Sequence, residues 1–285
     1  RAPSLAQIFT QKAQYSFVPG SGIQVSGLVN NVSPQANALG VPKLKPEKSD
    51  NITLGLGLQP DVNTSITLDY YNIKVKDRVI LGKEIAPTGD ASQQLDQILA
   101  ANGIVSVSFF VNGVETVTEG IDYVMSRKNI PLADGKLTLN LSGNYTLQNE
   151  RDGAVNNPPI VANAGQSVLD ATQEALMFTS RPKFKTILGA DWDFQKMNVS
   201  LNNTVFGPTR FRQAGLYSNL ETRFKTKTVT DVGLNYNLMP NLTLSFNVNN
   251  VFDVKPKWEF KALNAAGQAI IDDAAAAAVQ RNLIT

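Results

Sequence analysis

Apolar side chains recur at every second position in eight separate stretches of this chain. In residues 241–253, NLTLSFNVNNVFD, the positions Leu242, Leu244, Phe246 and Val248 alternate with Thr243, Ser245, Asn247 and Asn249. An extended chain sends successive side chains to opposite faces, so the stretch predicts one strand with an oily and a wet face. The same reading applies to 51–59 (NITLGLGLQ), 65–80, 120–126 (GIDYVMS), 136–148 (KLTLNLSGNYTLQ), 183–194, 198–206 and 230–238. Within 65–80 the apolar phase shifts from Ile66, Leu68 and Tyr70 to Tyr71, Ile73 and Val75, which a bulge at the tyrosine pair would explain. Helical spacing is confined to DASQQLDQILAANG, with Leu95, Ile98 and Leu99 on one face, and to the alanine-rich IIDDAAAAAVQRN.

The connections order these strands. PDVNT, NIPLAD, QKM and MPN are short and rich in turn residues, whereas residues 82–116, 150–181, 207–220 and 254–285 form long connections. Short and long alternate along the chain. A transmembrane barrel has short turns on one side and long loops on the other, while loops beyond about 15 residues are uncommon in compact soluble domains. The oily faces are mostly leucine, with Tyr and Trp toward strand ends, as a lipid belt with aromatic girdles requires. The fold class expected is therefore all-β: an antiparallel up-and-down transmembrane β-barrel fragment of about eight strands, with residues 1–285 forming one portion of that barrel. A soluble β-sandwich, with the oily faces turned into a core, is the alternative.

Composition narrows the chemistry. The 285 residues contain no Cys and no His, which removes disulfides, thiolate chemistry, Ser-His-Asp triads and most zinc sites. A formal net charge of +2 gives no case for nucleic acid. No apolar run approaches the length of a membrane-spanning helix, which leaves barrel strands untouched as a possibility. Asp191 and Asp193 share a polar face, but at a short turn, where solvation or a facing domain of the same protein explains them. No enzyme, resident metal or cofactor is expected.

Four segments in order carry a resemblance: RAPSL at 1–5, LKPEKSDNITLGL at 44–56, LDYYNIKVKDRV at 68–79 and NVNNVFDVKP at 247–256. VNGVETVTEGIDYVMS adds a strand entry of similar form. Together they resemble the C-terminal part of the barrel of TonB-dependent outer-membrane receptors. The resemblance implies a receptor in the outer membrane of a Gram-negative bacterium that takes up a large, scarce solute. A ferric siderophore is the leading class, with cobalamin and oligosaccharide as the others. It implies as partners the lipid bilayer and lipopolysaccharide, the receptor's own plug domain, and a TonB-type energy-transducing protein acting through that plug. The family's plug, its TonB-contacting box and its aromatic-ending last strand have no counterpart in these residues. The expectation is a C-terminal third of a receptor, short of its final strand. A soluble carbohydrate-binding or adhesin module and a passive pore are the competing functions.

One constellation carries a site hypothesis. On 196–212 the apolar phase is odd, which puts Arg210 and Arg212 in the lumenal phase. On the next strand the apolar phase is even, which puts Arg223, Lys225 and Lys227 on the same side. The preceding strand adds Lys183 and Lys185. Seven cations on three neighbouring strands, opposed mainly by Glu221, would form a funnel for an anionic ligand. Arg1 and Glu47 are expected, as lumenal charges, to pair with each other or with the plug, and Asn249 to Asp253 to shape a strand end.

Overall fold

A computed structural model describes residues 1–18 and 22–276. In chain order the elements begin with α1 (Leu5–Phe9), β1 (Lys12–Val18), β2 (Gly22–Leu28), α2 (Pro34–Ala38), β3 (Lys48–Asp61), β4 (Thr64–Leu81), α3 (Gln94–Ala101) and β5 (Ser106–Ser108). They continue with β6 (Phe110–Leu132), β7 (Gly135–Asp152), α4 (Pro159–Asn163), α5 (Ala171–Phe178), β8 (Phe184–Phe194), β9 (Met197–Phe206) and β10 (Thr209–Arg212). A 3-10 turn (Gly215–Tyr217), β11 (Leu220–Phe224), β12 (Lys227–Met239), β13 (Leu242–Val248), β14 (Trp258–Ala262) and α6 (Ala265–Ala276) complete them.

Eight strands form one sheet in the order β13-β12-β9-β8-β7-β6-β4-β3, so neighbours in the chain are neighbours in the sheet apart from strands that join other sheets. All eight alternating stretches lie in it. Four of its hairpins close through the residue pairs 62–63, 133–134, 195–196 and 240–241. Ala133 and Gln195 take positive φ (both 51°) there, the left-handed conformation that tight hairpins demand. The order ends at β3 and β13, which do not pair with each other among the described residues, so the sheet is open.

The registers show what each face carries. Leu139 stands opposite Ala190, Ala190 opposite Leu201, Leu201 opposite Val232 and Val232 opposite Val248. The next row on that face is Leu137, Trp192, Val199, Leu234 and Phe246. On the other face Thr138, Asp191, Ser200, Gly233 and Asn247 line up, as do Lys136, Asp193, Asn198, Asn235 and Ser245. The oily rows are uncovered: Leu139, Leu201, Leu234 and Phe246 are 38, 39, 37 and 66% exposed. A β-sandwich would bury these rows under a second sheet, so the alternative architecture is set aside. Gly143 lies within the oily face with no side chain, and Tyr123 crosses it to place its hydroxyl 2.5 Å from Thr186 Oγ1.

The chain divides into two compact units. The first comprises Arg1–Asn51, Ile73–Val117 and Glu150–Glu174; the second comprises Ile52–Asn72, Thr118–Asn149 and Ala175–Thr285. The first has a conventional core of Leu39, Ile85, Leu95, Leu99, Val107, Phe109, Val161 and Val168, each at most 1% exposed. In it β2 pairs antiparallel with β1 and parallel with β5. Asn112 ties this unit's backbone by accepting from Lys45 N (2.8 Å) and donating to Lys45 O (3.0 Å) and Asp77 O (2.6 Å).

Several long connections hold more structure than alternation shows. β6 starts at Phe110, inside the expected loop 82–116, because Val111, Asn112, Val114, Thr116 and Val117 are all buried. A strand covered on both faces has no period of two to read. Residues 258–262, also expected to be loop, are strand β14, and residues 209–212, read both as the end of the alternating stretch 196–212 and as part of a long connection, are strand β10. The DASQQLDQILAANG helix is α3, with Leu95 and Leu99 buried. α6 covers the start of the alanine-rich stretch, and residues 277–285 lie outside the described residues.

Candidate functional site

β9 and β12 form a hairpin that continues past a break at Gly207–Pro208 and Lys225–Thr226 as β10 and β11. The register is unchanged across the break: Phe206 faces Lys227 below it, and Thr209 faces Phe224 above. β14 pairs with β11 as β13 pairs with β12, with two extra residues accommodated between them. The outer sheet β10-β11-β14 therefore extends three strands of the large sheet, and alternation divides it into unlike faces. One carries Phe211, Thr222, Phe224, Trp258 and Phe260; the other carries Arg210, Arg212, Glu221, Arg223, Glu259 and Lys261.

The segment Asn249 to Asp253 closes the end of β13. Asn250 (φ 50°) donates its backbone N–H to Asp231 Oδ1 at 2.7 Å and accepts from Val254 N at 2.9 Å, and Val251 N donates to Thr230 O. This is the strand-end shaping expected of its Asn and Asp side chains. Thr179 anchors β10 by donating from Oγ1 to Arg210 O at 2.7 Å and accepting Arg210 N at its own carbonyl.

On the charged face Arg210 lies directly opposite Arg223, and Arg212 opposite Glu221. Glu221 is 2% exposed. Its Oε2 accepts from Arg212 Nε at 3.1 Å and its Oε1 from Arg223 Nε at 2.7 Å. Burial pushes the Glu221 carboxyl up, but the hydrogen bonds from Arg223 and Arg212 outweigh that and hold it below the usual carboxylate range. Lys225 meets Glu259 at 2.6 Å in an exposed pair. With Lys257, whose carbonyl accepts from Lys225 N, and Lys261, six cations surround two carboxylates.

The seven cations singled out in the sequence thus separate. Arg210, Arg212 and Arg223 share the outer sheet, and Lys225 lies at its lower edge, where its N–H donates to Lys257 O. Lys185 and Lys227 lie one step down the wall, each opposite Phe206, with the Lys185 ammonium 5.5 Å from the centre of that ring. Lys183 departs from its expected phase: its ammonium bends to within 5.4 Å of the ring centre of Tyr145, a side chain of the oily face. Lys183 immediately precedes β8 and its carbonyl still accepts from Thr146 N in the β7–β8 ladder, so it is the long, flexible side chain that bends to reach the ring. Sequence reasoning missed Lys257, Glu259 and Lys261, although KPKWEFKA alternates charged and aromatic residues and signals a strand.

Glu47 serves the first unit's backbone: Oε1 accepts from Val79 N at 2.9 Å and its N–H donates to Arg1 O. That unit also holds a cleft of about 390 Å³ lined by Asp77, Glu115, Asp152, Asn112 and Asn156. Its charge is opposite to that of the outer sheet. Among the described residues no group of acidic side chains is arranged to hold a metal ion.

A family profile described as TonB dependent receptor-like, beta-barrel matches residues 1–251. No curated protein sequence matches. Among solved structures, a mutant of the ferric enterobactin receptor of Pseudomonas aeruginosa superposes with a TM-score of 0.54 at 19% identity, over 89% of this chain and 31% of that one. A siderophore receptor of Acinetobacter baumannii gives 0.50 at 15% identity, over 81% of this chain and 30% of that one. The FrpB iron transporter of Neisseria meningitidis gives 0.50 at 14%, over 79% and 29%. The chain spans less than a third of the length of these structures, and at such identities the likeness concerns the fold.

Proposed function

Because the chain belongs to the TonB-dependent receptor β-barrel family, we propose that it forms part of an outer-membrane receptor importing a large, scarce solute, with a ferric siderophore as the leading class. The observation that carries this reading is the sheet with exposed leucine rows on one face and a polar wall on the other, topped by a cationic sheet. Such a wall suits a lipid-embedded barrel around a polar lumen. The receptor works in the outer membrane of a Gram-negative bacterium, among phospholipid and lipopolysaccharide. A plug domain of the same receptor and a TonB-type partner supply the gating and the energy. Transport rather than catalysis is its activity.

Arg210, Arg212, Arg223 and Lys225 steer an anionic solute toward the lumen, and Lys185 and Lys227 receive it beside Phe206. Like charges placed directly opposite on adjacent strands, as Arg210 and Arg223 are, repel unless an anion lies between them. Lys183, turned to Tyr145, serves the lipid boundary instead. The test is uptake of labelled ferric siderophores by cells carrying the full-length receptor, with and without the TonB-type partner. Energy-dependent uptake of one siderophore is expected. Uptake that ignores the partner would make the protein a passive pore. Replacing the four outer cations with Gln should slow ligand association and flatten its salt dependence.

A further inference from the structure

The outer sheet places a carboxylate where an anion site would be expected to keep only cations. Glu221 occupies the middle strand, with Arg212 opposite on one side and Lys261 on the other. It is buried, yet the two arginines that hold it are not: their side chains are 52% and 38% exposed. Each holds Glu221 through Nε, one of the five N–H donors of a guanidinium. Here the anion is deep and the cations reach outward from it.

We propose that Glu221 is a positioning residue: it fixes Arg212 and Arg223 as a paired set of donors for a multiply charged oxyanion group on the transported solute. The inference rests on the anion-steering reading given above. Unbound arginine side chains sample many rotamers and repel one another, which weakens a bidentate site before any ligand arrives. A shared buried carboxylate holds both guanidinium groups beside each other at no cost to their exposed ends. Glu259 provides an internal comparison, since its pair with Lys225 is exposed on both sides and orders little.

Sulfate is the probe, because its charge stays constant over the useful pH range. Binding to the full-length receptor is measured by calorimetry at low ionic strength. Glu221→Gln and Glu259→Gln each raise the net charge by one. Positioning predicts that Glu221→Gln weakens sulfate binding roughly tenfold despite the added positive charge, whereas Glu259→Gln leaves it equal or tighter. Glu221→Asp, which keeps the charge but shortens the reach, should also weaken it. If Glu221→Gln tightens binding as Glu259→Gln does, or Glu221→Asp binds as the unaltered receptor does, Glu221 is a competing counter-ion and the proposal is overturned. Should Glu221→Gln fail to fold, Glu221→Asp alone decides. An unaltered receptor that binds sulfate no better than the variant with four Gln replacements would remove the steering reading itself, a different failure.

Discussion

The two units use apolar residues in opposite ways. Of the 18 buried apolar residues among those described, 16 belong to the first unit and only Ala175 and Leu220 to the second. The second unit has almost no such core and exposes Ile52, Leu54, Leu56, Leu139, Leu201, Leu244 and Phe246, whereas the first leaves Tyr15, Phe17 and Ile23 of β1 and β2 exposed beside its core. Both are rich in Val, Leu and Phe, so the contrast lies in the medium each meets. The first excludes water from a packed interior. The second turns its apolar face outward, which is stable only where hydrocarbon replaces water. Composition averaged over the chain conceals this difference; burial element by element reveals it.

The strongest test of that contrast substitutes one phenylalanine from each unit. Phe109→Ala, at a site 1% exposed, should cost about 3–5 kcal/mol. Phe246→Ala, at 66% exposure, should cost well under half of that in bilayers, as read by denaturant unfolding of the full-length receptor. Comparable losses would erase the distinction between core and lipid face. Next in size is a charge on each face of β7. Leu139→Arg should destabilise the membrane-inserted receptor by about 2–4 kcal/mol, and Asn140→Arg by much less. A larger penalty at Asn140 would reverse the assignment of the faces.

A smaller effect separates the outer sheet from the wall below it. The Glu221 carboxyl is held below its ordinary value when folded, so its stabilisation is complete above the unfolded pKa and vanishes as pH falls through the folded one. Hydrogen exchange in β10 and β11 should therefore accelerate in acid before exchange in β9 and β12 does. Glu221→Gln should remove that acid step and cost about 1–3 kcal/mol at neutral pH. An unchanged acid profile in the variant would mean another group titrates there. The last test barely perturbs the protein. Single cysteines at Asn163 and Gln213 should label with an impermeant reagent on intact cells, and cysteines at Val62 and Asn241 only after permeabilisation. The chain has no cysteine of its own to interfere. Labelling at Val62 on intact cells would invert the topology.

The sequence by itself determined the eight strands, the short turns that join them in pairs and the sorting of oily from polar faces. A strand between lipid and lumen meets a different medium at each successive residue, and that difference is written with period two. It also determined that Arg210 and Arg223 are neighbours, since one hairpin with unbroken parity admits no other arrangement. Tertiary structure alone decided the rest. Val111 to Val114, with Thr116 and Val117, are buried whichever face they take, so burial erased the alternation that marks a strand. The pairing of β11 with β14 brings together Glu221 and Lys261, 40 positions apart, and nothing local encodes that partnership. Whether a carboxylate such as Glu221 is a solvated surface charge or the buried centre of a cationic sheet depends on such distant pairings. So does the turn of Lys183 onto Tyr145, a ring supplied by the neighbouring strand.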